Sequence, residues 1–438
     1  MIKYSNKIFI SFLPLVIVFL FSACQKKDDS PSLFTAPYFG NSSTPTIDSI
    51  IVESGMVAPN QGLAGIAVIK ISGKNYSLNN VDNIAYFNST IGQVLSSYKD
   101  SIIVKVPYVV SDSVIVKTST KGAIVFSNTK ILELKVPFRI DNVLGSKQQA
   151  ISMTVGSGLI YTSLVTNIQN PASGGLLRIN ADSTLTEIIK GSSSPVTYWQ
   201  DIKVGPGNDI YLAGPGLPFV VKVADGSWTL STLTSLPDSD GVVSLNALDF
   251  DQSKQFIWTG GEVTGNRFYS ISTPFETGTI NSFPFNGIIK AMKVYNNYLY
   301  IAGKKADRKS RVYRFQIISG SQVTEDSSPY FDFDQNYPGQ EINSIAFSND
   351  GFMYLGTSAP PGLVMVYPNS SGYEAFYSDI KNILIPTNTY NNQVSFSGLA
   401  FDDTPNSTYL YVIRSRYTAA ATTEVKILKI NTLKIGRP

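Results

Sequence analysis

Hydrophobic and polar residues alternate in short runs along most of the chain, and residues that favour turns separate the runs. Over residues 45–137 such runs include Ile66–Ile71, Ile102–Val106 and Val114–Lys117. Alternation with a period of two is typical of β-strands that have one buried face. Several such strands within about a hundred residues predict a β-sandwich for this segment.

Two short motifs in the same segment narrow this prediction. Gly73-Lys74-Asn75-Tyr76 follows one predicted strand, and Val106-Pro107 ends another. With these motifs and its strand order, the segment resembles the IPT/TIG family of immunoglobulin-like domains. The resemblance implies an Ig-like spacer, or a module that contacts a protein partner, and it implies no catalysis.

A different pattern recurs six times between about Arg139 and the C-terminus. Each copy has a polar residue, a small residue, an aliphatic residue, a variable residue and an apolar residue, and successive aliphatic positions lie 44 to 54 residues apart. Units of roughly 50 residues with four short strands each are typical of β-propeller blades. The pattern therefore predicts an all-β protein in which a six-bladed propeller spans residues 138–438. The aliphatic positions are Ile151, Ile202, Leu248, Met292, Ile345 and Leu399.

Two rows of residues within the repeat have a structural explanation. Small residues, with Asp201 as the one exception, are expected nearest the propeller axis, where six inner strands converge; the six positions are Ala150, Asp201, Ala247, Ala291, Ser344 and Gly398. An aromatic residue recurs in each second strand and is expected to pack between blades rather than to contact a ligand. The row consists of Tyr161, Tyr211, Trp258, Tyr300, Tyr354 and Tyr411. In this general scheme alone, the region resembles six-bladed propellers of the NHL and SMP-30-like kind.

The first 23 residues have the layout of a secretory signal peptide. Lys3 and Lys7 precede an apolar run over 8–21, which is shorter than the roughly 20 residues of a membrane-spanning helix. The run ends in Ser22-Ala23-Cys24, which resembles the lipobox of bacterial lipoproteins and implies acylation of Cys24. The polar stretch Gln25–Asp29 resembles the export signal of Bacteroidetes surface lipoproteins. We therefore expect residues 24–44 to be a flexible tether and the protein to be an outer-membrane lipoprotein exposed at the cell surface.

Composition excludes several classes of function. The chain has no histidine, which removes the commonest general base, the usual zinc sites and the serine–histidine and cysteine–histidine pairs. The formal charge of +3 falls to +1 without the two lysines of the signal, so the mature chain lacks the positive field that nucleic acid requires. Carboxylates, lysines, tyrosines and cation sites with oxygen ligands remain for chemistry. The composition therefore favours a binding function over an enzymatic one.

A ligand site is predicted at the end of the propeller where the inner strands begin. That end should gather one polar residue from each blade: Gln149, Gln200, Asn246, Lys290, Asn343 and Ser397. Trp199 and Asp201 flank Gln200, and an aromatic ring beside amides and a carboxylate can hold a sugar. The alternative is a water-filled channel mouth lined by ordinary polar residues.

Loops at the same end supply further candidates. The basic loop Gly303–Lys309, together with Arg414, Arg416 and Tyr417, could meet an anionic ligand. The insertion Pro329–Tyr337 contains an Asp-x-Asp pair that could bind calcium, although it lacks the spaced ligands of a recognised calcium loop. No other cofactor is expected.

Three functions remain open at this stage. The first is a surface lipoprotein whose propeller binds an extracellular ligand, with a glycan as the expected ligand; this follows from the surface setting and from the resemblance to Bacteroidetes nutrient-capture lipoproteins. The second is a propeller enzyme (lactonase, lyase or hydrolase) that uses carboxylates and calcium. The third is a structural or protein-binding module. Acidic residues converging from several blades would favour the enzyme, and an aromatic platform without them would favour binding.

Overall fold

A computed structural model of the chain describes residues 43–141, 144, 149–165, 174–180, 183–190, 195–196, 198–377, 394–417 and 423–437. The predicted signal peptide, the predicted acylation site Cys24 and most of the predicted tether lie outside these ranges. Within them, no helix is long and apolar enough to cross a membrane.

The N-terminal region forms a single nine-stranded array, with the order β1-β4-β7-β6-β5-β8-β9-β3-β2. Alternate residues of its strands point into one hydrophobic core, which includes Ile71, Phe87 and Val116. The strands are β1 (Thr46–Ser54), β2 (Met56–Ala58), β3 (Gln61–Leu63), β4 (Val68–Lys74), β5 (Asn83–Phe87), β6 (Thr90–Ser97), β7 (Ser101–Lys105), β8 (Ser111–Thr120) and β9 (Lys130–Lys135).

The Gly73–Tyr76 motif, at the end of β4, contacts the start of β1. A Cβ atom on Gly73 would lie 1.7 Å from the Thr46 carbonyl oxygen, so only glycine allows this approach. The Tyr76 hydroxyl donates a hydrogen bond to the same oxygen at 3.0 Å. The motif therefore has a packing role that explains both its glycine and its tyrosine.

Six further sheets form the six blades of a β-propeller, as the repeat predicted. The first three blades run from inner to outer strand in chain order. Blade 1 contains β11 (Gln149–Gly156), β12 (Leu159–Val165), β13 (Gly174–Ile179) and β14 (Leu185–Ile189). Blade 2 contains β15 (Asp201–Val204), β16 (Ile210–Ala213), β17 (Val221–Val223) and β18 (Leu230–Thr232). Blade 3 contains β19 (Val242–Phe250), β20 (Phe256–Val263), β21 (Arg267–Ser272) and β22 (Ile280–Pro284).

The last three blades follow the same order. Blade 4 contains β23 (Gly287–Tyr295), β24 (Tyr298–Lys305), β25 (Ser310–Ser319) and β26 (Gln322–Glu325). A short helix, α1 (Phe333–Asn336), precedes blade 5, which contains β27 (Ile342–Ser348), β28 (Met353–Thr357), β29 (Leu363–Val366) and β30 (Tyr373–Ala375). Blade 6 contains β31 (Val394–Phe401), β32 (Tyr409–Tyr417) and β33 (Thr423–Asn431).

Strands from the two ends of the propeller region extend blades 6 and 5. The strand β10 (Phe138–Asp141) precedes blade 1 but pairs with β33, so it supplies the outer strand of blade 6. At the other end, β34 (Gly436–Arg437) pairs with β27 of blade 5. Because closure leaves few unpaired strand edges, the pairing of β10 with β33 stabilises the ring without a disulfide.

Candidate functional site

The aromatic row defines which residues of the six blades are equivalent. Each aromatic residue is at most 7% exposed, which confirms that the row packs between strands and blades. Each lies opposite one residue of the inner strand of its own blade. These opposite residues, one per blade, are Thr154, Lys203, Asp249, Lys293, Ala346 and Ala400.

This equivalence corrects the register that the sequence predicted for blade 1. Tyr161 pairs with Thr154, so Met153 takes the aliphatic position that was assigned to Ile151. The small residue of blade 1 is consequently Ser152 rather than Ala150. Ile151, not Gln149, takes the polar position, and the side chain of Gln149 lies outside the described part of the structure.

The predicted ring of polar residues does gather around the channel where the inner strands begin. Gln200, Asn246, Lys290, Asn343 and Ser397 line one small space of about 30 Å³, together with Asp201, Ala291, Ser344 and Gly398. Asn246, Lys290 and Asn343 each fall at a β-bulge of their strand. Bulges redirect side chains, which explains how neighbouring residues can line the same opening. The space is too small for a sugar.

Most of this ring is engaged in holding neighbouring blades together. The side-chain amide of Asn246 donates to the Ile289 carbonyl of the next blade at 2.8 Å. Asn343 donates in the same way to the Phe396 carbonyl, at 3.3 Å. The ammonium of Lys290 lies 3.3 Å from the Glu341 carboxylate. These contacts are structural, and a role of these residues in ligand binding stays a prediction.

The predicted sugar platform at Trp199 is wrong. Its side chain is fully buried, in a cluster with Tyr161, Leu176 and Ile202, so no ligand can reach the indole face in this structure. The Trp199 carbonyl accepts a hydrogen bond from the Ser163 hydroxyl at 2.8 Å. Trp199 therefore packs blade 1 against blade 2.

The predicted basic loops are largely neutralised or buried. Lys304 pairs with Glu341, and Lys305 pairs with Glu325. Arg414 is 1% exposed, so it belongs to the interior of blade 6. The backbone of Arg416 pairs with Val394, and its side chain lies outside the described residues.

The aspartates of the insertion have structural partners. Asp332 caps the helix α1 by accepting from the Gln335 amide at 3.1 Å, and it also accepts from Arg311 at 2.8 Å. Asp334 accepts from the Gly339 amide at 3.2 Å. Among the described residues there is no group of three or more histidine, cysteine, aspartate or glutamate side chains that could hold a metal ion.

A larger cavity opens at the other end of the channel, where the inner strands end. It has a volume of about 290 Å³, and all six residues opposite the aromatic row line it. Its wall has two unlike sides. Blades 2, 3 and 4 contribute Lys203, Asp249 and Lys293 at the equivalent position, whereas blades 5 and 6 contribute Ala346 and Ala400, and Arg437 of β34 lines the cavity on the blade 5 side. The alanine side chains leave space for a ligand, and the lysine and aspartate side chains supply polar groups that could bind it.

Four charged side chains form a network along the channel wall, in which Lys203, Asp249 and Lys293 line the cavity and Asp201 lines the narrow space. The Lys203 ammonium lies 2.7 Å from Asp201 Oδ1, and the Lys293 ammonium lies 3.6 Å from Asp249 Oδ2. Each carboxylate also accepts from the backbone of the following blade: Asp201 from the Leu248 amide at 3.0 Å, and Asp249 from the Val294 amide at 2.7 Å. The network therefore bridges three consecutive blades.

Burial changes the proton affinity of two members of this network. Desolvation raises the pKa of Asp201, although Lys203 and the Leu248 amide oppose the shift. Desolvation also lowers the pKa of Lys293; Asp249 opposes that shift and the neighbouring Lys203 ammonium adds to it. Both effects arise because burial disfavours the charged form of a group.

The rim of the cavity is polar as well. Asp403 accepts from the backbone amide of Gly158 at 2.8 Å and so joins blade 6 to blade 1. Asp251 accepts from the Phe256 amide at 2.6 Å and closes its own turn. Lys254 and Asn208 are exposed at the same mouth.

Sequence reasoning missed this cavity because its charged residues occupy the variable position of the repeat. Lys203 and Lys293 appeared only as variable residues within a strand pattern. The signal available was a lysine, an aspartate and a lysine at one equivalent position of three consecutive blades. Asp249 and Asp251 of blade 3 and Asp403 of blade 6 do converge on this cavity, and the residues that line it include no exposed aromatic platform within the described part of the chain.

The sequence matches no protein-family model and no curated protein. Solved structures with a similar fold include a luciferin-regenerating enzyme, with 11% identity over 68% of this chain and 97% of that chain, at a TM-score of 0.50. An auxiliary nutrient binding protein from Bacteroides thetaiotaomicron has 9% identity over 89% of this chain and 98% of that chain, at 0.47. A gluconolactonase from Xanthomonas campestris has 9% identity over 67% and 89%, at 0.48. At such identities, a likeness of this kind concerns the fold alone.

Proposed function

We propose that this protein is an exported binding protein that holds a small polyhydroxylated ligand, a saccharide, in the 290 Å³ cavity where the inner strands end. One observation carries the proposal: Lys203, Asp249 and Lys293 alternate in charge along one wall of the cavity. A volume near the lower end of the usual range for small-molecule sites, roughly 300–1,000 Å³, suits a ligand of one or two rings.

Alternating positive and negative side chains suit a ligand with many hydroxyl groups better than a ligand with a net charge. A sugar hydroxyl can donate to a carboxylate and accept from an ammonium at the same time, and neighbouring hydroxyls repeat this arrangement. Hydrogen bonds to charged groups are also stronger than those between neutral groups. The opposite wall, with Ala346 and Ala400, offers the apolar surface that the C–H face of a sugar ring requires.

The setting proposed for this site rests on the N-terminal sequence. The signal layout and the lipobox-like residues before Cys24 support a lipid anchor, and the polar stretch after it supports surface display. The N-terminal β-rich region, with its Gly73–Tyr76 and Val106-Pro107 motifs, is proposed as an Ig-like spacer that also offers a surface for a protein partner. Together these parts would hold the propeller clear of the membrane.

A thermal-shift screen of the mature protein with methyl glycosides of common sugars tests the proposal. A ligand that binds only the folded state raises the unfolding temperature in a concentration-dependent way. We expect at least one glycoside to do so in the parent protein and to lose the effect in Asp249→Asn. Lys99→Met, at an exposed position of the N-terminal region outside the cavity, is the control and should keep the shift. Absence of a shift with every mono- and disaccharide tested would contradict the proposal.

A further inference from the structure

Lys293 differs from the other lysine of the cavity wall in how it is held. Lys203 has a close ion pair at 2.7 Å, whereas the Lys293 ammonium lies 3.6 Å from its only carboxylate partner within 4.0 Å among the described residues, beyond hydrogen-bond length. The Lys293 side chain is 13% exposed, and that exposure is toward the cavity. The amine thus lines the cavity without a tight partner.

We propose that Lys293 is a carbonyl-reactive amine that forms an imine with an aldehyde in this cavity, such as the open-chain form of a reducing sugar. The inference rests on the proposed function, because it uses the same cavity and names a chemical class of ligand for it. Lysine amines are activated as nucleophiles by desolvation or by a nearby cation, and both conditions are met here.

The groups around Lys293 determine its protonation. Asp249 of β19 faces it at 3.6 Å, and Asp201 and Lys203 of β15 lie within electrostatic range. On its other side, β27 contributes the uncharged Ile345 and Ala346 to the same cavity, and Arg437 of β34, which pairs with β27, adds a further cation. Its cross-strand partner on β24 is Tyr300, whose pKa burial raises to about 12, so this phenol stays neutral. Desolvation and the Lys203 ammonium together favour the neutral amine that the reaction needs.

The reaction balances without a further reagent. The neutral amine attacks the aldehyde carbon, a C–N bond forms, and the carbonyl oxygen takes up a proton to give a carbinolamine. Loss of one water molecule, with the two hydrogens coming from the amine nitrogen and the transferred proton, leaves the imine. The Asp249 carboxyl group, which lies beside Lys293, is placed to carry the proton between the nitrogen and the departing oxygen.

Site-resolved labelling of the parent protein tests this inference. The protein is incubated with glycolaldehyde and sodium cyanoborohydride at pH 7, which traps any imine as a stable amine, and labelled lysines are identified by peptide mass mapping. We expect Lys293 to be labelled several-fold faster than the exposed Lys254 at the same mouth, with the difference narrowing toward pH 10.5. Labelling of Lys293 at the rate of Lys254 or more slowly at pH 7 would overturn the inference.

A second arm uses the neighbouring charge. Lys203→Gln removes the cation that favours the neutral amine, so labelling of Lys293 should slow at pH 7 and recover at pH 10.5. An unchanged rate at pH 7 in the folded variant would contradict the proposed activation. Failure of the inference remains distinguishable from failure of the proposed function, because methyl glycosides have no free carbonyl and bind without forming an imine.

Discussion

Lys203 and Asp201 lie two residues apart on the inner strand of blade 2, and their charged atoms lie 2.7 Å apart on the channel wall. Residues separated by two face the same side of a strand, so the pair is local in sequence. The pair also takes part in a contact that is distant in sequence, because Asp201 accepts a hydrogen bond from the Leu248 amide of blade 3. One ion pair thus connects the channel wall to the packing of adjacent blades.

Removing the lysine of this pair should therefore destabilise the propeller. Lys203→Met leaves the largely buried Asp201 carboxylate without its cation, and loss of one partner of a buried pair costs roughly 3–5 kcal/mol. Asp201→Asn combined with Lys203→Met removes both charges and should recover a large part of that loss. Urea unfolding of the two variants and the parent measures the difference. Equal stability of the single variant and the parent would show that the pair contributes little.

Asn246 should act through stability and not through ligand affinity. Asn246→Ala removes the amide that bonds to the Ile289 carbonyl of the next blade, and a lost neutral hydrogen bond costs about 0.5–1.5 kcal/mol. We expect the free energy of unfolding to fall by this amount while the affinity for a saccharide stays within twofold. A large loss of affinity in a folded variant would instead show that Asn246 contacts the ligand, as the sequence predicted.

The number of blades and the residues that build them could be predicted from the sequence, because hydrophobic periodicity determines them. The register of blade 1 could not. Gln149-Ala150-Ile151 fits the polar, small and aliphatic order, whereas the correct residues two positions later begin with the apolar Ile151, and a shift by two keeps every side chain on the same face.

The ligand site was less accessible to sequence reasoning. The sequence does place Gln200, Asn246, Lys290 and Asn343 around one mouth, as the structure has them. Which mouth is wide depends on how the inner strands pack around the channel, and the repeat pattern does not contain that packing. The burial of Trp199 is likewise a tertiary property, since it follows from the packing of blade 1 against blade 2.

Stability should depend on pH through Asp402. Burial would raise the pKa of this carboxyl group, but bonds from the Thr404 hydroxyl and amide and from the Ser407 hydroxyl, with Lys429 nearby, lower it overall. The folded state then binds fewer protons than the unfolded state just below the ordinary value of 3.8, so this contribution is present above that pH and is lost as the pH falls.

The variant Asp402→Asn tests that dependence. Hydrogen bonds to charged groups are worth about 1.5–3 kcal/mol, so the variant should be less stable than the parent by up to this amount at pH 7. The difference should shrink as the pH is lowered below 3.8, where the parent carboxylate becomes protonated. Urea unfolding of both proteins at pH 7 and at pH 3 provides the comparison. A difference that is constant across this range would contradict the assignment.

The proposed anchor has a simple genetic test. Cys24→Ser removes the thiol that acylation requires, so the processed protein should move from the membrane fraction to the soluble fraction. Immunoblots of fractionated cells, with mass spectrometry of the mature N-terminus, give the answer. Retention of the variant in the membrane after correct removal of the signal would mean that another part of the chain holds it there.

The two mouths of the channel make opposite predictions about where a saccharide binds, and calorimetric titration separates them most directly. A methyl glycoside found by the thermal-shift screen is titrated into the parent, into Asp249→Asn at the wide mouth and into Lys290→Met at the narrow one. We predict at least tenfold weaker binding for Asp249→Asn, about 1.4 kcal/mol or more, because a bond to a charged acceptor is lost. Lys290→Met should bind within twofold of the parent. Unchanged affinity in Asp249→Asn together with a large loss in Lys290→Met would contradict the account, because it would place the ligand where the inner strands begin.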